Sequence, residues 1–428
     1  MLLTRILEGV VHKDGPRVLA GLIRLAGDFD SAEDALQEAY ARALVAWKRD
    51  GVPNSPGAWL NTVSRRIVMD RLRRDRLTAL PEEIEAIVPE PLPENPSGIE
   101  DDRLRLLFTC CHPALSPEAC CALALRTLGG LTTREIARAF VEPEPTTAQR
   151  IVRAKRKIRE ARIPYEIPAP EKLKERLGAV LAVLYLIFNE GYASTNAPSL
   201  LRPDLAAEGI RLARLADELM PDESETKGLL ALMLLTDSRR AARTTADGEL
   251  VPLEEQDRAL WNQEQIEEGV RILDQALGMR AAGPYQIQAA IAALHAQAGV
   301  PSETDWQQIA MLYRRLLEYT PTPVVELNAA VALGMATNLE SALDWIERIQ
   351  QSGALTGYYL LPASKADLLR RLGRNDEAAS VYCDAIALAT NPAEVRYLEK
   401  RKAECAEGTL TQQSTLGLKR QHGTIPLG

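Results

Sequence analysis

Apolar residues recur at three- and four-residue intervals along nearly the whole chain, and no stretch of β-branched residues alternates with polar ones. That period belongs to helices, so the pattern predicts an almost all-α protein. Met1 to Gly27 reads as one or two helices, with Val18, Leu19, Leu22, Ile23 and Leu25 as the buried stripe. Asp30 or Ser31 is placed to cap a longer helix, SAEDALQEAYARALVAW, whose apolar face is Ala35, Leu36, Ala39, Ala43, Leu44 and Trp47. Asp34, Gln37 and Glu38 fall on its polar side. A loop of Gly51, Pro53, Asn54, Pro56 and Gly57 leads into a third helix, Ala58 to about Leu77. There Trp59, Leu60, Val63, Ile67 and Leu72 are spaced to face a core, and Arg65, Arg66, Arg71, Arg73, Arg74 and Arg76 decorate the outside.

Leu115 to Ile163 carries a second pattern. Pro117 to Leu128 is an apolar helix, and Thr132 with Glu135 forms a capping box that opens a short helix to about Phe140. The prolines within Val141 to Pro145 are expected to break it. Thr146 or Thr147 then caps a helix to about Arg162, with Ile151, Ala154 and Ile158 inward and Arg150, Arg153, Lys155, Arg156, Lys157 and Arg159 outward. Two helices, a tight turn and a basic second helix make a helix-turn-helix, the motif that lays its second helix in a DNA major groove.

Charge sharpens this picture. The chain is acidic overall, with net charge −8, yet Lys and Arg outnumber Asp and Glu by 13 to 10 in residues 1–80 and by 12 to 7 in residues 101–162. Beyond residue 162 the balance is 26 bases against 36 acids, so the positive charge belongs to the two N-terminal segments. Between them, residues 79–100 are proline-rich and acidic, the composition of an extended connector. Four cysteines and His112 cluster in residues 110–121. Their spacing fits no common zinc site, and Cys120 and Cys121 lie in an apolar run where cysteine acts as a small hydrophobe, so no metal and no cofactor is expected. Met1 to Val11 carries Arg5 and Glu8 and does not read as a signal peptide. The longest apolar run, Gly178 to Phe188, is far short of the ~20 residues that span a bilayer. A cytoplasmic protein with no membrane segment is the expectation.

The segment DSAEDALQEAYARALVAW, the loop after it and PGAWLNTVSRRIVMDRLRR closely resemble domain 2 of extracytoplasmic-function sigma factors of the sigma-70 superfamily. Residues 115–163 resemble domain 4 of the same family, in the same order. The resemblance implies that Asp34, Gln37, Glu38 and Arg42 dock on the clamp helices of the largest subunit of core RNA polymerase, with the flap as a further contact. It implies that Asn54, Ser55, Trp59, Asn61, Thr62, Arg65 and Arg66, with Arg73 and Arg74 on phosphates, capture and open the −10 promoter element. For Trp59 a place in the core is an equal alternative. In the −35 reader, Thr146, Thr147, Gln149 and Arg150 are the base-reading candidates, and Arg153, Lys155, Arg156 and Lys157 the phosphate contacts. In such proteins the connector threads the RNA path; simple spacing explains its composition equally well.

The expected organisation is therefore sigma domain 2 over residues 1–78, the connector 79–100, sigma domain 4 over 101–163 and a short proline linker at 164–170. A helical domain over 171–405 and a flexible tail at 406–428 complete it. The helical domain is what minimal members of the family lack. Within it QAAIAAL at 288–294 and NAAVALG at 328–334 lie 40 residues apart, and Leu333-Gly334 is echoed at Leu372-Gly373. Ala378, Ala385 and Asn391-Pro392 fall where paired helices need close approach and a stop. This spacing predicts about three tetratricopeptide-like units over 284–405. Over 171–280, Asn189, Glu190, Tyr192, Arg202, Asp237, Arg239, Arg243, Asp257, Arg258 and Trp261 flank apolar segments. They are candidates for a regulatory pocket or interface that meets a protein or small-molecule signal, or for structural ion pairs. With no phosphate loop, nucleophile elbow or metal spacing, enzymatic chemistry is not expected. The alternative reading is a helix-turn-helix regulator with a repeat-type sensor domain, which leaves the first basic module unexplained.

Overall fold

The computed structural model describes residues 2–78, 98–140, 142–192, 203–245 and 247–421. Among them every regular element is a helix, apart from one antiparallel bridge between Thr244 and Leu250, so the all-α expectation holds. Helices α1 (Leu2–Ala26), α2 (Phe29–Asp50) and α3 (Pro56–Thr78) pack on one another. α1 is a single helix despite the internal Pro16, and Val18, Leu19, Leu22, Ile23 and Leu25 are buried as their spacing predicts. α2 starts earlier than expected: Asp28, not Asp30 or Ser31, caps it, its carboxylate accepting from the Ser31 amide at 2.8 Å. The earlier start places Phe29 in the core. Leu44, expected inside, is 43 % exposed, because it lies beyond the stripe that Ala35, Ala39, Ala43 and Trp47 bury.

α4 (Gly98–Cys110) packs against α1 and begins inside the stretch read as the connector, whose residues 79–97 lie outside the described residues. The contact is polar at its centre. Asp102, 2 % exposed, sits between Arg24 at 2.8 Å and Arg105 at 2.9 Å. The Tyr165 hydroxyl lies 3.0 Å from the Ala20 carbonyl and 2.9 Å from that of Asp102. α5 (Pro117–Thr127) then supports α6 (Thr133–Ala139) and α7 (Glu144–Glu160). The capping box forms: the Glu135 carboxylate accepts from the Thr132 amide at 2.7 Å, and the Thr132 hydroxyl from the Glu135 amide at 3.2 Å. α7, however, begins at Glu144, not at a threonine cap. Pro143 precedes it and Pro145 sits in its first turn, where the missing N–H has no intrahelical partner to lose.

The four clustered cysteines are buried as apolar residues. Burial pushes the thiols of Cys110 and Cys121 up to about 12 and that of Cys120 up to about 11, so they stay protonated. Next, α8 (Pro170–Tyr192) and α9 (Pro203–Leu219) make contacts with α4 and the end of α5. Arg176 donates to the Phe108 carbonyl and Arg211 to that of Leu128, each at 2.6 Å. α8 and α9 themselves cross so closely that a Cβ on Gly191 would fall 2.2 Å from the Ala206 amide nitrogen. The chain accordingly divides into one compact unit of Met1–Gly191 with Asp204–Met220 and another of Tyr192–Pro203 with Pro221–Gly428. The proline run at 164–170 is not the divide between them.

The second unit holds α10 (Ser224–Asp237), α11 (Gln263–Gly278), α12 (Pro284–Gln297), α13 (Trp306–Tyr319), α14 (Pro323–Ala336), α15 (Leu339–Ser352), α16 (Leu360–Arg371), α17 (Asn375–Leu388) and α18 (Pro392–Gln421). Each packs on the next in chain order, and α10 also packs on α12. Three apolar clusters follow one another along the stack, around Ile309, Ile346 and Tyr382. α18 continues to Gln421, through residues expected to form a tail.

Candidate nucleic-acid interface

Helical geometry sorts the candidate residues onto faces. On α2, Asp34, Glu38 and Arg42 share one exposed face, with Gln37 at its edge. At the centre of that face stands Val45, 71 % exposed, a residue the sequence reading passed over. Its position outside the Ala35–Trp47 stripe was the signal that could have found it, and the exposed Leu44 extends the patch beside Gln37. Glu38 organises the polar part, accepting from Arg42 at 2.5 Å and from Arg71 of α3 at 2.9 Å. Burial works to raise the Glu38 carboxyl, but these two guanidiniums outweigh it and hold it below the usual range.

The loop before α3 leaves Asn54 and Ser55 exposed. Trp59 is half-buried, its ring edge-on to Trp47 with centroids 5.5 Å apart and planes at 67°. It is thus part of the core and part of the surface at once. Along α3, Thr62, Arg65, Arg66 and Arg73 fall on one exposed face with Met69, and Asn61 lies half-buried at its edge. Arg74 lies to the side of this face and donates to the Asp70 carbonyl at 3.3 Å.

On α7 the buried stripe is Thr147, Ile151, Ala154 and Ile158. Thr147 is fully buried, its hydroxyl donating to the Glu142 carboxylate at 2.5 Å, and so does not face outward with the other base-reading candidates. Glu142 also holds Arg150 through two contacts of 2.5 and 2.7 Å. Thr146, Gln149, Arg153, Arg156 and Lys157 are exposed outside the stripe, and Arg150 lies half-buried at its edge beside Glu142. Lys155 does not join them. It is 11 % exposed and pairs with Glu33 of α2 at 2.8 Å and Asp30 at 3.5 Å, with Arg159 3.4 Å from Asp30 beside it.

Residues 10–78 match sigma-70 region 2, and residues 176–277 match a family of unknown function, DUF6596. The chain belongs to the same family as an uncharacterized protein of Rhizobium meliloti. It is 45% identical to that protein over 390 residues, 90% of its own length and 92% of the other. It is also similar to the probable ECF RNA polymerase sigma factor SigI of two Mycobacterium tuberculosis strains. That likeness is 31% identity over 165 residues, 36% of this chain and 54% of the relative. No solved structure is significantly similar to the chain. The region 2 match spans the later part of α1, all of α2, the loop and α3, and α2 and α3 present the two faces just described. Among the described residues no helix is long and apolar enough to cross a membrane.

The described candidate residues beyond α7 are engaged in local contacts. Asp237 is buried and pairs with Arg240 at 2.5 Å and with Gln265 at 3.0 Å, a structural contact. Arg243 stacks on the Tyr192 ring at 3.7 Å and donates to its carbonyl, with Arg239 at 5.8 Å from the same ring. Arg258 covers Trp261 at 4.6 Å, and Asp257 caps the turn between them by accepting from the Ala259 amide at 2.9 Å. Asn189 and Glu190 belong to the first compact unit, and Arg202 lies outside the described residues.

Proposed function

We propose that the chain is a sigma factor of the extracytoplasmic-function type that directs bacterial core RNA polymerase to particular promoters, and that its C-terminal helical half regulates this activity. What carries the reading is that the segment matching region 2 presents, on two adjoining helices, a mixed polar and apolar face and an arginine-rich face. The face of Asp34, Gln37, Glu38, Arg42 and Val45 is the polymerase contact in this reading, with an exposed valine where an interface core needs one. Asn54, Ser55, Trp59, Asn61, Thr62, Arg65, Arg66, Arg73 and Arg74 serve the −10 element, where single-stranded bases bind by stacking and phosphates by arginine. α7 reads the −35 element through Thr146, Gln149 and Arg150, and holds phosphates through Arg153, Arg156 and Lys157.

Residues 284–405 supply three helix pairs and a closing helix, an arrangement in keeping with a tetratricopeptide-like scaffold. The chain's contribution is binding and strand opening, with no covalent step. Val45→Glu tests the polymerase contact. Holoenzyme formation on a sizing column is expected to be lost while the thermal midpoint stays at the parent value, since Val45 touches solvent. Undiminished assembly by this variant would remove the α2 face from the reading.

A further inference from the structure

Between α10 and α11 the chain runs through short 3-10 turns at Arg240–Ala242, Leu253–Glu255 and Arg258–Leu260. This segment is tied to several helices of its own unit. Glu254 meets Arg371 of α16 at 2.5 Å, Glu255 meets Arg401 of α18, and Arg258 donates to the carbonyls of His295, at 2.9 Å, and Ala298. Between the segment and the helices lies a cavity of about 330 Å³. That is within the range of sites for small organic ligands. Its walls are largely apolar, with Leu253, Trp306, Val331, Met335 and Leu368 on different sides.

The charges that line the cavity are not equally satisfied. Arg371 is neutralised twice, by Glu254 at 2.5 Å and by Asp367 at 2.7 Å, and Asp367 also takes Arg370 at 2.6 Å. Arg258 has no such partner. Its contacts are two carbonyls and the face of Trp261, its Nε is buried without an acceptor, and among the described residues no carboxylate pairs with it. Glu303 is the nearby acid that acts on it, short of an ion pair. A partly buried guanidinium with no carboxylate partner and an unpaired Nε is a ready anchor for an anion.

We propose that this cavity binds a small organic acid, a single carboxylate on an aromatic or branched apolar body, with Arg258 as its anchor. The apolar walls take the body, and the Ser364 and Thr304 hydroxyls in the lining are further donors. The site does not depend on the sigma-factor reading, because binding is measured on the chain alone.

Calorimetric titration of the full chain with phenylacetate, phenylacetamide and phenethylamine tests it. Phenylacetate is expected to bind at one site about tenfold more tightly than its amide, equivalent to ~1.4 kcal/mol, with the amine weakest. Arg258→Gln should bring the acid down to the level of the amide. Ala363→Leu, which fills the cavity and leaves Arg258 in place, should abolish binding of both. Equal binding of acid and amide, preference for the amine, unchanged affinity in either variant, or no saturable binding of phenylacetate would each overturn the proposal.

Discussion

His295 is a base kept neutral by its surroundings. Burial, and then the nearby Arg239 and Arg258, push it down to about 4, and its ring stands edge-on to Trp306 at 5.2 Å. In the unfolded chain a histidine titrates near 6.5. The folded protein therefore takes up this proton only after the unfolded chain has done so. The stability His295 contributes is complete above about pH 6.5 and is lost as pH falls toward 4. His295→Phe keeps an aromatic edge and cannot titrate. Chemical unfolding at both pH values should show an acid-side loss smaller in this variant by on the order of 3 kcal/mol; identical losses would mean that His295 is solvated. Single residues were also where sequence reading went astray. Leu333-Gly334 and Leu372-Gly373 look alike, but Gly334 lies inside α14, where a Cβ would meet that of Ala342 at 2.6 Å, while Gly373 follows α16 with φ 75°. One glycine serves packing and the other a left-handed cap, a distinction that tertiary contact makes and spacing does not.

At the scale of an element, α7 shows how a helix divides its charges. Arg153 and Lys157 are exposed, whereas Lys155 is spent on Glu33 and Asp30 of α2. Counterion release gives the contrast a measurable form. Arg153→Ala should weaken promoter binding by the holoenzyme and reduce the slope of log affinity against log salt by about one. Lys155→Ala should leave that slope unchanged. Equal effects of the two would mean that α7 swings away from α2 before it meets DNA. The stripe of α7 and the capping box of α6 were legible, because both follow from local periodicity and short-range hydrogen bonding. The start of α7 was not, because proline inside a first turn is tolerated where proline elsewhere breaks a helix. Nor was the burial of Thr147, which needs Glu142 across the turn. The exposed patch of Leu44 and Val45 was half legible: the wheel places Val45 outside, but only the packing of α1 and α3 on α2 leaves Leu44 there too.

At the scale of the molecule, the order of basic modules was readable from charge, and the break between compact units was not. Composition put a boundary at the prolines of 164–170, yet Arg176 and Arg211 tie α8 and α9 to the carbonyl ends of α4 and α5. Part of the C-terminal extension is thus built into the unit that carries the helix-turn-helix, and a chain cut at residue 168 would expose that seam. The central claim, that the chain confers promoter selectivity on core polymerase, is best tested on the intact protein. Run-off transcription with purified core polymerase, on promoters selected by genomic binding, is the direct measurement. The account predicts transcripts from discrete start sites that require the full chain, and that are lost when Arg65 and Arg66 are both changed to alanine. Transcription no greater than that of core polymerase alone, with duplex binding that needs no polymerase, would contradict it.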